Sequence, residues 1–467
     1  MSPRRITIAL IFLVTWGLTT HGKYSVTGDE PHYLMIAESL RADGDLDLRN
    51  NYDGDAGARF GAGSLQPGPH ARVTPGGRLL SVHDIGAPIL LVPVYAAATT
   101  LATLPSDSML RRMRMNRGLF AYSLVSFAIL CLSTFAAAIA IRALEHAGAS
   151  ASAAAIVVAI AWLAPPVISH AFLVFPEPFA MFVTACAVWC AYRQGDWEWR
   201  DSAVVLALGM LPWLHRKFVL YVAAIVLVIA WRRASSLRAM TPSRRALVAA
   251  AFAAPIVLLA WWTLHEWGNV AGGMAAERVP LSLHELLRGL PATIVDRENG
   301  LIWWAPVYVL LPAGFWLRRR DLWPWLLPIV ALIVPGAAHQ WWAGFSPAAR
   351  FLVPLAPIFC LFGIELAKRP RLRLAAFALL VPQWIMTAYA WQHARLLWPQ
   401  GDGENRVLAI LLPPLGRAYR AIPSFRTAPD AAWVPALVLL AAIVVVNVVA
   451  ISIRGSSAGY RRDSASS

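Results

Sequence analysis

Long apolar runs joined by short polar or basic stretches dominate the chain. They fall at about 6–20, 85–104, 118–142, 151–175, 178–193, 201–214, 217–231, 246–267, 300–317, 322–336, 350–366, 374–392 and 432–453. A soluble core seldom needs uninterrupted apolar runs of roughly 15 to 20 positions, whereas a helix crossing a bilayer needs about 20. The pattern predicts an all-α polytopic membrane protein with about 12 (11–13) transmembrane helices. Pro165-Pro166 is expected to break the run 151–175, because the second proline lacks a backbone donor and the first is pushed out of the helical region.

Composition supports this class. Apolar residues make up 58% of the chain and charged residues 14%, against about a quarter charged in a soluble domain. The net charge of +15 is carried in short blocks beside the apolar runs: Arg111, Arg112, Arg114 and Arg117; Arg232 to Arg245; Arg318 to Arg320; Lys368 to Arg373; Arg461 and Arg462. Such placement is what the positive-inside bias produces, so the charge reports topology and gives no reason to expect a nucleic-acid partner. Cys131, Cys186, Cys190 and Cys360 all lie in apolar runs, where they read as small buried side chains rather than disulfides or zinc ligands.

With every basic block on the cytoplasmic side, a helix count from Met1 and one from the Arg232 to Arg245 block disagree by one crossing between 118 and 175. A broken or re-entrant element at 151–175 would reconcile them, leaving 12 crossings and both termini inside. Residues 6–20 read as an uncleaved first helix, since no small-x-small cleavage site follows. Stretches 21–84, 268–299, 337–349 and 393–431 become external loops. The first, rich in Gly and Asp, is expected to carry short interfacial helices beginning with one from Pro31 to Arg41. The chain then divides into a transmembrane catalytic domain, 1–392, and a segment 393–467 of external loop, last helix and cytoplasmic tail.

On this topology the polar residues collect on the external side. Asp29 and Glu30, in Gly28-Asp29-Glu30-Pro31-His32-Tyr33-Leu34, directly follow the first helix. Two carboxylates there can cap the next helix or serve as a proton acceptor and its partner. Glu177, in Phe175-Pro176-Glu177-Pro178, lies between two apolar runs, where an acid either caps a helix or serves a site. His215-Arg216-Lys217 interrupts an otherwise apolar stretch, as a turn with snorkelling cations or as a pocket for phosphate. His83, at the end of the long loop, binds phosphate when protonated or is a plain surface histidine. Arg350 closes the aromatic stretch from Trp341, and Arg297, in Asp296-Arg297-Glu298-Asn299-Gly300, forms an internal ion pair or reaches substrate.

Together these residues resemble, over about 6–366, the GT-C superfamily of membrane glycosyltransferases, on the branch of protein O-mannosyltransferases and lipid A aminoarabinose transferases. Those enzymes carry an Asp-Glu pair after the first helix and use sugars linked to polyprenyl phosphate. The resemblance implies that Glu177 is the second acid, His215 to Lys217 the basic outer turn and Trp341 to Arg350 the late aromatic loop. Relatives open the second span with a Lys-Pro-Pro type sequence, where this chain has His83-Asp84-Ile85-Gly86-Ala87-Pro88.

The implied chemistry is inverting transfer of a sugar from a polyprenyl-phosphate donor to an acceptor hydroxyl. Asp29 would act as general base, with Glu30 orienting it or the acceptor. Glu177 would hold the sugar or a divalent cation, Tyr33 would join the substrate contacts, and Arg216, Lys217 and Arg350 would face the phosphate. Asp29, Glu177 and His339 are the donors a cation would use, with no other cofactor expected. Membrane lipid, the donor, and a lipid, glycan or protein acceptor are the expected partners, at the external side of a bacterial inner membrane. A lipid or sugar flippase and an O-antigen ligase-like enzyme are the rival readings; a flippase would spread its charges through membrane depth.

Overall fold

The computed structural model describes residues 2–19, 26–273, 282–411 and 416–452; the expected cytoplasmic tail beyond 453 lies outside them. Helix α1 (Pro3–Thr19) leads to the first loop, which holds α2 (Glu30–Ala42), α3 (Arg49–Asp53) and a hairpin of β1 (Ala71–Val73) and β2 (Leu79–Ser81). The strands are antiparallel, with Ala71 opposite Ser81 and Val73 opposite Leu79. Then come α4 (Gly86–Leu101), α5 (Asp107–Arg112), α6 (Arg117–His146), α7 (Ala151–Trp162), α8 (Val167–His170), α9 (Pro176–Tyr192), α10 (Trp199–Leu214), α11 (Phe218–Arg232), α12 (Ala234–Ala239) and α13 (Pro242–Trp267). The remainder comprises α14 (Leu283–Val295), α15 (Leu301–Trp304), α16 (Leu311–Leu317), α17 (Arg319–Leu322), α18 (Leu326–Ala338), α19 (Ala356–Lys368), α20 (Pro370–Gln392), α21 (Arg406–Leu411), α22 (Gly416–Arg420) and α23 (Pro429–Ser452).

The chain is thus helical, as its pattern predicts. Six helical stretches, 117–146, 242–267, 319–338, 350–368, 370–392 and 429–452, are long and apolar enough to cross a membrane. Short polar joints start these helices with side-chain caps: Asn116 accepts from the Leu119 amide at 2.7 Å, and Ser150 and Thr241 act alike. Outward-facing Val and Leu on α23, such as Val434, Leu437 and Val438, are exposed. Such an apolar outer surface suits contact with lipid.

Two faces of the bundle can be told apart by what ties them. On one, Arg232 bonds Asp321 at 2.7 Å and the Ala191 carbonyl at 3.3 Å, and Arg318 reaches the Ala147 carbonyl at 2.9 Å, fastening the ends of α6, α9, α11 and α16 together. On the other, the first loop packs over the helix ends: Arg78 pairs with Glu266 at the end of α13, and Arg216, after α10, holds Asp84. The second face carries the site described below.

Helix α4, one of the expected spans, packs beside α2 in the first-loop layer, and Tyr95 rests 6.3 Å from the Phe60 ring of that loop. The following α6 starts on the site face, where a Cβ added at Gly118 would meet the Ala58 carbonyl at 2.2 Å and Tyr122 bonds Glu30. Arg111, Arg112, Arg114 and Arg117 therefore lie on the site face, contrary to the expectation that every basic block shares the other one. The segment 151–175 is broken, as expected, but it is not re-entrant. Trp162, before the break at Pro165-Pro166, donates to the Ser133 carbonyl at 2.9 Å, and past it the Phe172 carbonyl accepts from Ser126 Oγ at 2.6 Å, so the segment runs along α6 on both sides of the break and reaches the site face. Residues 86–101 thus form an apolar helix that packs on other protein.

Candidate functional site

A left-handed Gly28 (φ +60°) turns the chain from α1 into α2, where a Cβ would lie 3.3 Å from the Trp398 ring. The turn places Asp29 and Glu30 side by side in sequence and in unlike surroundings. Glu30 is fully buried and its oxygens are occupied. They accept from the Val174 amide at 2.7 Å, the Thr27 amide at 3.1 Å and the Tyr122 hydroxyl at 3.0 and 3.1 Å. Burial pushes its carboxyl up to about 7, against the pull of those three donors. Glu30 thereby pins the first loop to α6 and to the end of the broken segment.

Asp29 keeps 30% of its side chain exposed and accepts from Arg350 Nη1 at 2.7 Å. Burial of its surroundings would raise it, but the Arg350 charge and hydrogen bond outweigh that and hold the carboxyl well below the usual carboxylate range. The same guanidinium donates from Nε to Glu177 Oε1 at 2.9 Å and stacks 3.8 Å from the Phe175 ring. Glu177, with no exposed side chain, also takes Lys217 Nζ. Asp29, Arg350, Glu177 and Lys217 form one continuous ion-paired chain drawn from four distant parts of the sequence. Paired charges of this kind are what a buried site can hold.

Around this chain the other expected residues take differing places. Arg216 pairs with Asp84 at 2.9 Å, and the His215 ring accepts from the Lys217 amide at 3.2 Å, fixing the turn between α10 and α11. Tyr33 is buried beside Asp29, its ring 5.2 Å from that of His83. Arg297 instead turns to Glu404 at 2.8 Å and the Gly403 carbonyl at 2.8 Å, while Glu298 accepts from the Gly401 and Gly403 amides. These contacts bind residues 401–404 to the turn before α15.

His70 is the site residue that sequence reasoning missed. It precedes β1 and stands across the hairpin from Val82, whose amide donates to its carbonyl at 2.9 Å; Ser81 Oγ donates there too, at 3.2 Å. That pairing brings His70 Nδ1 within 3.1 Å of His83 Nε2. Among the described residues, the carboxylate and imidazole donors close enough to share a metal ion are Asp29, His70 and His83, all ligand atoms lying within 4.8 Å of one another. The expected set of Asp29, Glu177 and His339 is not so grouped: Glu177 is taken by Arg350 and Lys217, and His339 closes α18. Burial lowers the His83 ring to about 4 and the His32 ring beside it to about 3, so both are neutral at neutral pH.

An apolar groove of about 510 Å³ opens between α4 and α6, lined by Pro93, Val94, Ala97, Leu101, Leu124 and Phe127. Leu124 lies on α6 two residues past Tyr122, the partner of Glu30.

No family model, curated protein or solved structure matches the chain.

Proposed function

We propose that the protein is an integral membrane glycosyltransferase that moves a sugar from a polyprenyl-phosphate donor to an acceptor hydroxyl, with inversion in a single displacement. The observation that carries this reading is the division of labour among three acids. Glu30 and Glu177 are fully buried, Glu30 with both oxygens hydrogen-bonded and Glu177 ion-paired through Oε1 to Arg350 and Lys217, while Asp29 alone keeps an exposed edge for an incoming hydroxyl. Asp29 acts as general base, and being held ionised by Arg350, it is always able to accept the proton. A base of such low affinity for protons contributes modestly, so most of the acceleration comes from placing the two substrates and from stabilising the departing phosphate. Arg350 and Lys217 are the donors nearest to that role, and the groove between α4 and α6 receives the polyprenyl chain from the bilayer.

The fold accompanying this reading is GT-C-like with twelve crossings. These are α1, α6, the broken 151–175 segment, α9, α10, α11, α13, 301–317, 319–338, 350–368, α20 and α23, which leave both ends on the face opposite the site. The site face is then the external side of a bacterial inner membrane. The test is to supply the purified protein in lipid with a panel of polyprenyl-phosphate sugars and a hydroxyl acceptor, and to read product and anomeric configuration. Inverted product supports the reading. Movement of a labelled donor between leaflets, with no product from any sugar, overturns it in favour of a flippase.

A further inference from the structure

The ion pairs leave the site without net charge. Three cations, Arg216, Lys217 and Arg350, face three carboxylates, Asp84, Glu177 and Asp29, in direct pairs. A sugar phosphate is an anion, and in a site of zero net charge the cations that face it are already shared with carboxylates when the leaving group gathers negative charge. The imidazoles of His70 and His83 stand beside this cluster, with His32 stacked 3.7 Å from His70 and hydrogen-bonded at 3.4 Å to Tyr52.

We propose that Asp29, His70 and His83 bind one divalent transition-metal ion of the zinc or manganese class, and that this ion supplies the net positive charge that holds the donor phosphate. The inference rests on the transferase reading for the phosphate and on geometry alone for the ion. Two imidazole nitrogens bound tetrahedrally to zinc stand about 3.3 Å apart; His70 Nδ1 and His83 Nε2 stand 3.1 Å apart. Arg350 occupies Oδ2 of Asp29, which leaves Oδ1 as the third ligand, with its second lone pair for the acceptor proton, so that the ion and the base share this atom. The backbone of both histidines is held before any ion arrives, by the Val82 amide on the His70 carbonyl and by Ser81 Oγ, which accepts from the His83 amide at 3.2 Å. Two nitrogens and one carboxylate oxygen select a transition ion over magnesium or calcium, which prefer oxygen throughout. Three protein ligands leave a coordination position for a phosphate oxygen, and the ion raises the charge of the cluster from zero to +2.

The rival explanation of the same geometry is a proton shared between the two rings. The full chain, purified in detergent and stripped with chelator, is titrated with Co²⁺ alone. Metal content per chain is measured together with the visible absorption that distinguishes four- or five-coordinate Co²⁺ from the aquo ion. One Co²⁺ per chain with low-coordination bands, displaced by Zn²⁺, is expected. His70→Ala and His83→Ala should each weaken it about a hundredfold, with His146→Ala, at the opposite face, unchanged. Should either alanine variant fail to fold, His70→Asn and His83→Asn carry the same expectation, and thermal unfolding in chelator reports which variants are sound. Absence of stoichiometric Co²⁺, or equal affinity in both folded histidine variants, overturns the site. Binding is read without donor, so metal uptake without sugar transfer overturns the transferase reading alone, and transfer by a chain that takes up no metal overturns the metal site alone.

Discussion

Arg350 uses one planar guanidinium to satisfy Asp29 and Glu177 from separate nitrogens, a geometry that lysine cannot copy. Removing it in Arg350→Ala leaves Glu177 buried with Lys217 as its only ion-pair partner among the described residues. A loss of about 3 kcal/mol or more of stability is expected, seen as a fall in the thermal midpoint in detergent; an unchanged midpoint would contradict the pairing. Glu30 calls for a different measurement. Its folded carboxyl titrates at about 7, against 4.5 ordinarily, so the folded chain holds a proton that the unfolded chain releases. Its contribution is therefore present below pH 4.5 and is lost as pH rises through 7, by roughly 3 kcal/mol in all. Glu30→Gln should gain stability relative to wild type between about pH 5 and pH 8, and a difference that stays flat with pH would contradict the buried carboxyl. The sequence displayed the Asp29-Glu30 doublet plainly. It did not display that the two acids part ways, because that depends on Val174 and Tyr122 arriving from distant segments. His70 was readable in principle: with the turn of Pro75-Gly76-Gly77 between the strands, hairpin register sets His70 opposite Val82 and next to His83.

Helix α4 shows where apolar pattern misleads at the level of elements. Residues 86–101 are as apolar as a span, yet one side packs on α2 and α6 while Ile89, Leu90 and Leu101 remain exposed. Composition cannot distinguish a helix buried under a loop from one buried in lipid, and the rule that arginines mark one face failed for Arg111 to Arg117. By contrast, α2 was legible almost to the residue, since Pro31 opens it and its dipole favours the acid at its start. The proposed topology makes a labelling prediction. Single cysteines at exposed Asp45 and Ser108 should react with a membrane-impermeant maleimide from the same side of sealed vesicles, and one at Ser235 only from the other. Reaction of the Ser108 and Ser235 cysteines from a common side would mean that α4 crosses after all.

Across the whole molecule, the ion-paired chain joins the first loop, α9, the turn before α11 and the start of the 350–368 helix, and a groove opens between α4 and α6. Length and apolar runs disclosed a helical chain with several helices long and apolar enough to cross a membrane. The convergence of Asp29, Glu177, Lys217 and Arg350 was an expectation from their shared side, and the pairing among them came only with the fold. Filling the groove with Ala97→Trp should raise KM about tenfold for a long polyprenyl donor and leave a short-chain donor unaffected; equal effects on both would place the lipid chain elsewhere. The most direct measurement is the rate of sugar transfer from a polyprenyl-phosphate donor by wild type and by Asp29→Asn, with thermal unfolding confirming that both are folded. Loss of general-base function predicts a fall of about 10² in kcat, whereas a folded Asp29→Asn that transfers at the wild-type rate would contradict the assignment of Asp29 as the base.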